Sequence, residues 1–286
     1  MSPVKYFLPV LILTLGITGC ENTISGNGAS KSGNSASQPE DSASQPGDST
    51  FQPDYSSPQI AEIRAKWNQY KPADEGDAYY AQTPKVTAPY EAGSLTQAHL
   101  NDGLKMTRFI RYLAGLSENV YLVDGLNEQA QYGAVLLAAL DTLSHAPPKP
   151  ADMDDAFYQK GKTSCASSNL YVAGSKLNLY NREDLDRVVR TFIHDTDATN
   201  YTHVGHRRWI LHPSLQNLGF GLAQRLVVRD GQSMEAYFAA MQIADTSNTT
   251  DKVDTAYVAW PGEGYFPESF FSGEQAWSVS LNPKIY

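Results

Sequence analysis

Four of the chain's six histidines, His194, His203, His206 and His212, fall in one short stretch with Asp195, Arg207, Arg208 and Trp209. Imidazole exchanges a proton near neutral pH, and its neutral form is a common metal ligand. Asp195 can serve such a ring in a cleft, pair with Arg207 or Arg208, or cap a turn. The run closes on Leu218, Gly219, Phe220, Gly221 and Leu222, an alternation that reads as a strand start with close backbone approach. So dense a patch of imidazole, Arg and Trp is unusual for a plain core. It reads as the floor of a cleft with His206 as its main polar group; the plainer alternative is a histidine bonding backbone across a turn. His194, His203 and His212 read as surface or turn residues, and Arg207 and Trp209 as packing and ion-pair elements.

Other reactive groups carry weaker signals. Gly161, Lys162 and Thr163 invite a phosphate-loop reading, but that motif needs glycine where Ala156 stands and a strand before it. Ser168 lacks the Gly-x-Ser-x-Gly surround of a nucleophile elbow. Cys165 reads as a structural thiol. Glu263, in a Pro/Gly loop, is a further group that could face the cleft.

The elements that must position these residues follow from periodicity. Ile60 to Trp67 reads as a short helix. From Leu95 a helical stripe runs through Leu100, Leu104, Thr107, Ile110, Leu113 and Leu116. A second stripe, Ala130, Ala134, Leu137, Leu140 and Leu143, is expected to stop at Pro147 and Pro148, which places His145 at a helix C-terminus. A variable loop is expected next, then a helix capped by Asn181, with Glu183 and Asp184 in its first turn and Leu185, Val188, Val189 and Phe192 inward. The period then becomes two over 218–222, 225–229, 236–240, 255–260 and 276–280. Helices first and strands later predict an α+β fold with an antiparallel sheet covered by helices.

The chain's two ends differ in kind. Residues 1–19 read as an export signal: Lys5, then an apolar run from Phe7 to Leu15 too short to span a bilayer. Ile17, Thr18, Gly19 and Cys20 resemble the bacterial lipobox, so Cys20 is expected to be lipidated and to tether the protein to the membrane. Residues 20–57 form a Ser/Gln/Pro-rich linker with a seven-residue repeat (Ser35–Asp41, Ser42–Asp48, a degenerate Ser49–Asp54) and too little apolar surface to offset ordering. Residues 58–91 read as an N-terminal extension and 92–286 as the main domain. Cys20 and Cys165 are the only cysteines, one in the leader region and one in the globular part, so no disulfide is expected. A net charge of −9 without any Lys/Arg cluster argues against nucleic acid as a partner.

Several motifs, in order, resemble the CAP superfamily (cysteine-rich secretory, antigen 5 and pathogenesis-related proteins, SCP-like), in its bacterial branch without disulfides. Asn127–Gln131 with Leu143–Pro147 is similar to its first helix and first histidine, and Ser167–Leu170 to its Gly-Glu-Asn-Leu turn. Phe192–Asp195 stands where the family has Trp-x-x-Glu, and Gly205–Leu211 resembles its Gly-His-Arg-x-x-Ile-Leu. His206 precedes Gly219 by the family's thirteen positions, and Trp260–Pro267 and Ala276–Leu281 are similar to the branch's tail. The resemblance implies a three-layer α-β-α sandwich with a central cleft. It puts the family's histidines at His145 and His206 and its acids at Ser168 and Asp195. Ser168 has no carboxylate and Asp195 is one methylene short. Two imidazoles and a carboxylate still suit zinc, so His145 and His206 are the expected metal ligands, and His145, Ser168, Asp195 and His206 the ligand-binding set.

The expectation is therefore an extracytoplasmic protein, lipid-anchored to the bacterial cell envelope, that binds a lipid, glycan or peptide in its cleft, with or without a divalent metal. One alternative is a metal-assisted hydrolase or protease using His145, Asp195 and His206 as catalytic residues around an activated water. Another is a non-catalytic adhesion module. The anchor is directly testable: Cys20→Ala is expected to shift the protein from the membrane to the soluble fraction on ultracentrifugation, and unchanged fractionation would sink the lipobox reading.

Overall fold

The computed structural model describes residues 56–73, 78–176, 184–229, 231–251 and 253–286. The leader 1–19, Cys20, nearly all of the linker 20–57, and Asn181 and Glu183 lie outside them. The elements run in the order α1 (Pro58–Tyr70), β1 (Tyr80–Gln82), β2 (Ser94–Leu95), α2 (Gln97–Leu113), β3 (Tyr121–Leu122), α3 (Asp124–Leu140), α4 (Asp155–Ser167), β4 (Ser168–Lys176), α5 (Leu185–His194), α6 (Gly205–Ile210), β5 (Asn217–Arg229), β6 (Gln232–Gln242), β7 (Tyr257–Trp260) and β8 (Ser278–Leu281). No described helix is long and apolar enough to cross a membrane.

The chain is of mixed α+β type. Its central sheet has the strand order β3-β5-β6-β4, with β5–β6 and β4–β6 antiparallel. The departure from an all-antiparallel sheet is β3, a two-residue edge strand parallel to β5. Strand alternation sends side chains into two cores. Leu218, Phe220, Leu222, Tyr237, Ala239 and Met241 face one, with Leu104, Ile110, Val188 and Phe192 of α2 and α5. Ala223, Ala236, Phe238 and Ala240 face the other, with Ala134, Leu137, Phe157 and Cys165 of α3 and α4. Helices thus cover both faces.

Helix α3 packs backbone to backbone against β5. A Cβ on Gly219 would lie 2.3 Å from the Leu126 carbonyl carbon, and one on Gly221 2.3 Å from that of Ala130. Because β3 pairs only with Asn217 and Leu218, the edge of β5 beyond it needs other partners. Two side chains one turn apart on α3 supply them. Asn127 Oδ1 accepts from Phe220 N at 3.0 Å, and the Gln131 amide accepts from Leu222 N at 3.0 Å and donates to Leu222 O at 2.7 Å.

The structure corrects four expectations. First, α3 ends at Leu140. Asp141 takes the left-handed conformation (φ 49°), its N–H bonding the Ala138 carbonyl, a common helix stop. Leu143 is consequently exposed, and His145 lies in a bend past the helix rather than at its C-terminus. Second, part of the expected variable loop is α4. Asp154 caps it by accepting from Phe157 N at 2.8 Å, and Phe157, Gly161, Ser164 and Cys165 are its buried stripe. Third, α5 starts at Leu185, with Asp184 at the N-cap and making no side-chain cap bond. Fourth, 218–222 and 225–229 are one strand, since Ala223 and Gln224 keep pairing with β6. The N-terminal extension is not independent: Trp67 of α1 meets the rings of Phe109 and Phe270 at 5.2 and 5.8 Å.

The α3–β5 contact leaves no room for a methyl group against rigid backbone. Gly221→Ala is expected to cost about 2–3 kcal/mol or more, read as a lower urea midpoint; a change below about 0.5 kcal/mol would contradict the close approach.

Candidate functional site

Asp195 caps the C-terminus of α5 in the left-handed conformation (φ 49°), and its side chain is fully buried. That conformation is uncommon outside glycine, though Asp and Asn tolerate it best. It turns the carboxylate toward the next helix. Oδ1 meets His206 Nδ1 at 2.7 Å, and Oδ2 accepts the Arg207 backbone N–H at 3.0 Å. Val204, the residue just before α6, is also left-handed (φ 43°) and buried, a true outlier for a β-branched side chain. Strained backbone at both ends of the 195–204 connection, held by buried contacts, is typical of functional sites.

The carboxylate is the acceptor for His206 Nδ1–H, which leaves Nε2 as the lone-pair nitrogen. The His206 side chain is 18% exposed, and its ring lies 5.0 Å from that of Phe192. The structure therefore brings Asp195 and His206 into direct contact. Asn169, at the start of β4, donates to the His206 carbonyl at 3.1 Å, which brings the β4 end to the same place. Its neighbour Ser168 is buried, and its hydroxyl accepts from Gln242 Nε2 at 2.7 Å. His145 has a different partner, its Nδ1 lying 2.7 Å from the Cys165 carbonyl near the end of α4. A carbonyl can only accept, so His145 also carries its proton on Nδ1.

Two buried arginines fix α6. Arg207 donates to the carbonyls of Ile193 (2.7 Å), His194 (3.0 Å) and Ala276 (2.6 Å), and to Ser278 Oγ (3.1 Å). Arg111 donates to the carbonyls of Ser117 (2.8 Å), Ile210 (2.9 Å) and His212 (2.9 Å). Burial pulls both guanidinium pKa values down to about 10, against the opposing pull of Asp195 on Arg207 and of Asp251 on Arg111. The packing role expected of Arg207 is thus its observed one. Asp195 is not claimed by a guanidinium hydrogen bond; it takes the Arg207 amide instead.

Among the described residues, Asp195, Asp197 and His206 form a group whose donor atoms lie within 4.8 Å of one another. His145 is not part of it. Asp197 is already occupied, accepting from Thr199 N and Oγ1 and from Asn200 N and Nδ2. Burial would raise its pKa, but these bonds hold it below the usual carboxylate range. Asp195 also has both oxygens engaged. Its place is therefore beside the imidazole, as an orienting partner, rather than on a metal. Cys165 is buried and its thiol pKa is pushed up to about 12 by that burial, which rules against a thiolate nucleophile. Glu263 is exposed; its side chain accepts from the Tyr257 hydroxyl of β7, and its backbone carbonyl accepts from Gln59 of α1. Concavities of about 450 and 440 Å³ lie away from His206, the first against β5 and β6 and the second between α3 and α4.

Sequence reasoning missed Arg111, Asp197 and Gln242 as supports. Arg111 did carry a signal, being charged and adjacent to a core isoleucine in the α2 stripe. Comparison of the chain with models of known protein families finds no match, and a search of curated proteins also finds none.

His194 and His212, whose carbonyls hold these arginines, have imidazole pKa values lowered by burial first, then by Arg190 and Arg207 for His194 and by Arg111 for His212. Folding therefore favours their neutral forms. Their contribution to stability is intact above about pH 6.5 and is lost as pH falls from there toward the lowered folded values. The denaturation midpoint is expected to be level between about pH 7.5 and 8 and to fall on acidification through about 6.5, with a shallower fall in a His194→Gln, His212→Gln double variant. An unchanged slope in that variant would contradict the assignment.

Proposed function

We propose that this chain is an extracytoplasmic protein of CAP type, a three-layer α-β-α sandwich lipid-anchored to the bacterial cell envelope through Cys20, that binds a lipid, glycan or peptide at the Asp195–His206 face. The observation that carries this reading is the buried Asp195 carboxylate on His206 Nδ1, which sets the ring and leaves Nε2 as the nitrogen with a lone pair. Helix cover on both sheet faces supports the sandwich. The order of motifs along the chain supports the family.

A divalent metal such as zinc fits here in one form. His145 and His206 both carry the Nδ1–H tautomer, so each would offer Nε2 to the ion, and Asp195 would orient His206 in the carboxylate–histidine–metal pattern. Such an ion, when bound, supplies Lewis acidity. Ser168 and Asp195 add no direct ligand, because the first is bonded to Gln242 and the second has both oxygens engaged.

A hydrolase is the second reading, favoured by the same pair: a carboxylate-oriented imidazole with free Nε2 is the arrangement of a general base. Binding is the better-supported reading, since the nearby Ser168 hydroxyl is tied to Gln242 and Cys165 is a buried, protonated thiol.

Zinc titration of the purified protein, read by elemental analysis and calorimetry, tests the site. Wild type is expected to bind zinc, His206→Ala to lose it, and Asp195→Asn to bind about 10–100-fold more weakly. If no metal binds, and His145→Ala and His206→Ala also leave lipid, glycan and peptide binding and peptide cleavage unchanged, both readings of this site fail.

A further inference from the structure

A second site lies on the face of β5 and β6, next to the segment Tyr79–Pro84, and shares no residue with the Asp195–His206 pair. A cavity of about 450 Å³ is lined there by Tyr79, Tyr80 and Pro84 on one side and by Gln224, Glu235 and Tyr237 on the other. The sheet register explains why these side chains meet. Gln224 pairs with Tyr237, and Leu226 with Glu235, so all four project from one face. The Tyr79 ring lies 6.3 Å from that of Tyr237 and 5.9 Å from that of Tyr80.

The charge balance of this cavity is one-sided. Glu235 is its only charged lining group among the described residues. One carboxylate oxygen, Oε2, accepts from the Tyr237 hydroxyl at 2.6 Å, and Oε1 makes no hydrogen bond among the described residues. Among the described residues no Lys, Arg or His lines the cavity, so an anion finds no counter-charge there, and a neutral ligand would leave Glu235 uncompensated. Tyrosine faces add negative potential that attracts a cation. The Tyr80 hydroxyl is buried beside the Gln224 backbone yet makes no hydrogen bond of normal geometry, an orphan of the kind that calls for an explanation beyond folding. On the same face of β5, Leu226 and Val228 continue outward at 66% and 72% exposure, an apolar track that begins directly opposite Glu235.

The geometry points to a binding site for a primary organic ammonium ion carrying an apolar arm. The ammonium donates to Glu235 Oε1 and to the Gln224 side-chain oxygen, with the tyrosine rings around the charge, and the arm lies along Leu226 and Val228. A quaternary ammonium would leave the acceptors of Glu235 and Gln224 unused, which is why a primary amine is the better match.

Calorimetric titration of the full chain with n-hexylammonium, and with hexan-1-ol as its neutral counterpart, tests this. Saturable binding of the ammonium with a Kd of about 1 mM or tighter is expected, with hexan-1-ol about tenfold weaker. Glu235→Gln keeps an acceptor for Tyr237 and removes the charge; it is expected to weaken the ammonium about tenfold. Leu226→Ser with Val228→Ser, both exposed and so compatible with folding, is expected to weaken hexylammonium while leaving ethylammonium unchanged. His206→Ala is expected to bind like wild type, which separates this site from the one above. Thermal unfolding confirms that each variant is folded. Absence of saturable binding below about 10 mM, equal binding of the alcohol, an unchanged Glu235→Gln, or loss in His206→Ala would each overturn the proposal.

Discussion

The Asp195 carboxylate has no solvent contact, so its two oxygens must be satisfied from within. They are satisfied by consecutive residues of α6, the His206 ring and the Arg207 amide. That one requirement couples the end of α5 to the start of α6 and sets the imidazole's tautomer. It also makes acceptable the left-handed backbone at Asp195, because only that turn delivers the carboxylate to both donors. Unpairing such a buried group costs about 1–3 kcal/mol, more when it is charged, comparable to or larger than the roughly 1–2 kcal/mol of the left-handed conformation.

The guanidinium groups of Arg207 and Arg111 extend the same logic in a costlier form. A buried cation is strongly unfavourable unless every donor finds an acceptor. Each side chain makes four such bonds, chiefly to backbone carbonyls, drawn from α5, the loop after α2, the end of α6, the turn after it and the segment before β8. Carbonyls left over at helix ends need donors anyway, so the arginines and the short helix ends satisfy one another. The consequence is rigidity around His206: α6 is held at its start by Arg207 and at its end by Arg111. The histidine needs no contact of its own to stay in place beyond its carboxylate.

Much of this was legible in the residues. The α2 stripe, the inner face of α5 and the alternation of β5 and β6 appear as anticipated, because each buries one face and repeats with its own period. In the structure His206 lies on Asp195, and His212 Nδ1 accepts from the Ser214 amide. Less legible were α4 and β4. The α4 stripe is built from Gly161, Ser164 and Cys165 as much as from Phe157, small residues that carry little hydrophobic signal yet are what lets α4 approach α3: a Cβ on Gly133 would meet Ser164 Oγ at 2.3 Å. The end of α3 was misjudged because Pro147 is the louder signal, whereas the left-handed turn at Asp141 acts first.

By itself the sequence determined which side-chain types are available and the periods of α2, α5, β5 and β6, since periodicity and residue type are local properties of the chain. Tertiary structure decided what those residues became. Asp195 turned out to orient an imidazole because the left-handed turn aims it at α6 rather than at solvent. Ser168 became a hydrogen-bond acceptor for Gln242, and His145 a partner of the Cys165 carbonyl. The tyrosine cavity beside Glu235 exists only because register puts Gln224, Leu226, Glu235 and Tyr237 on one face near a segment more than a hundred positions earlier. Such pairings depend on which strand neighbours which, and spacing along the chain holds no record of that.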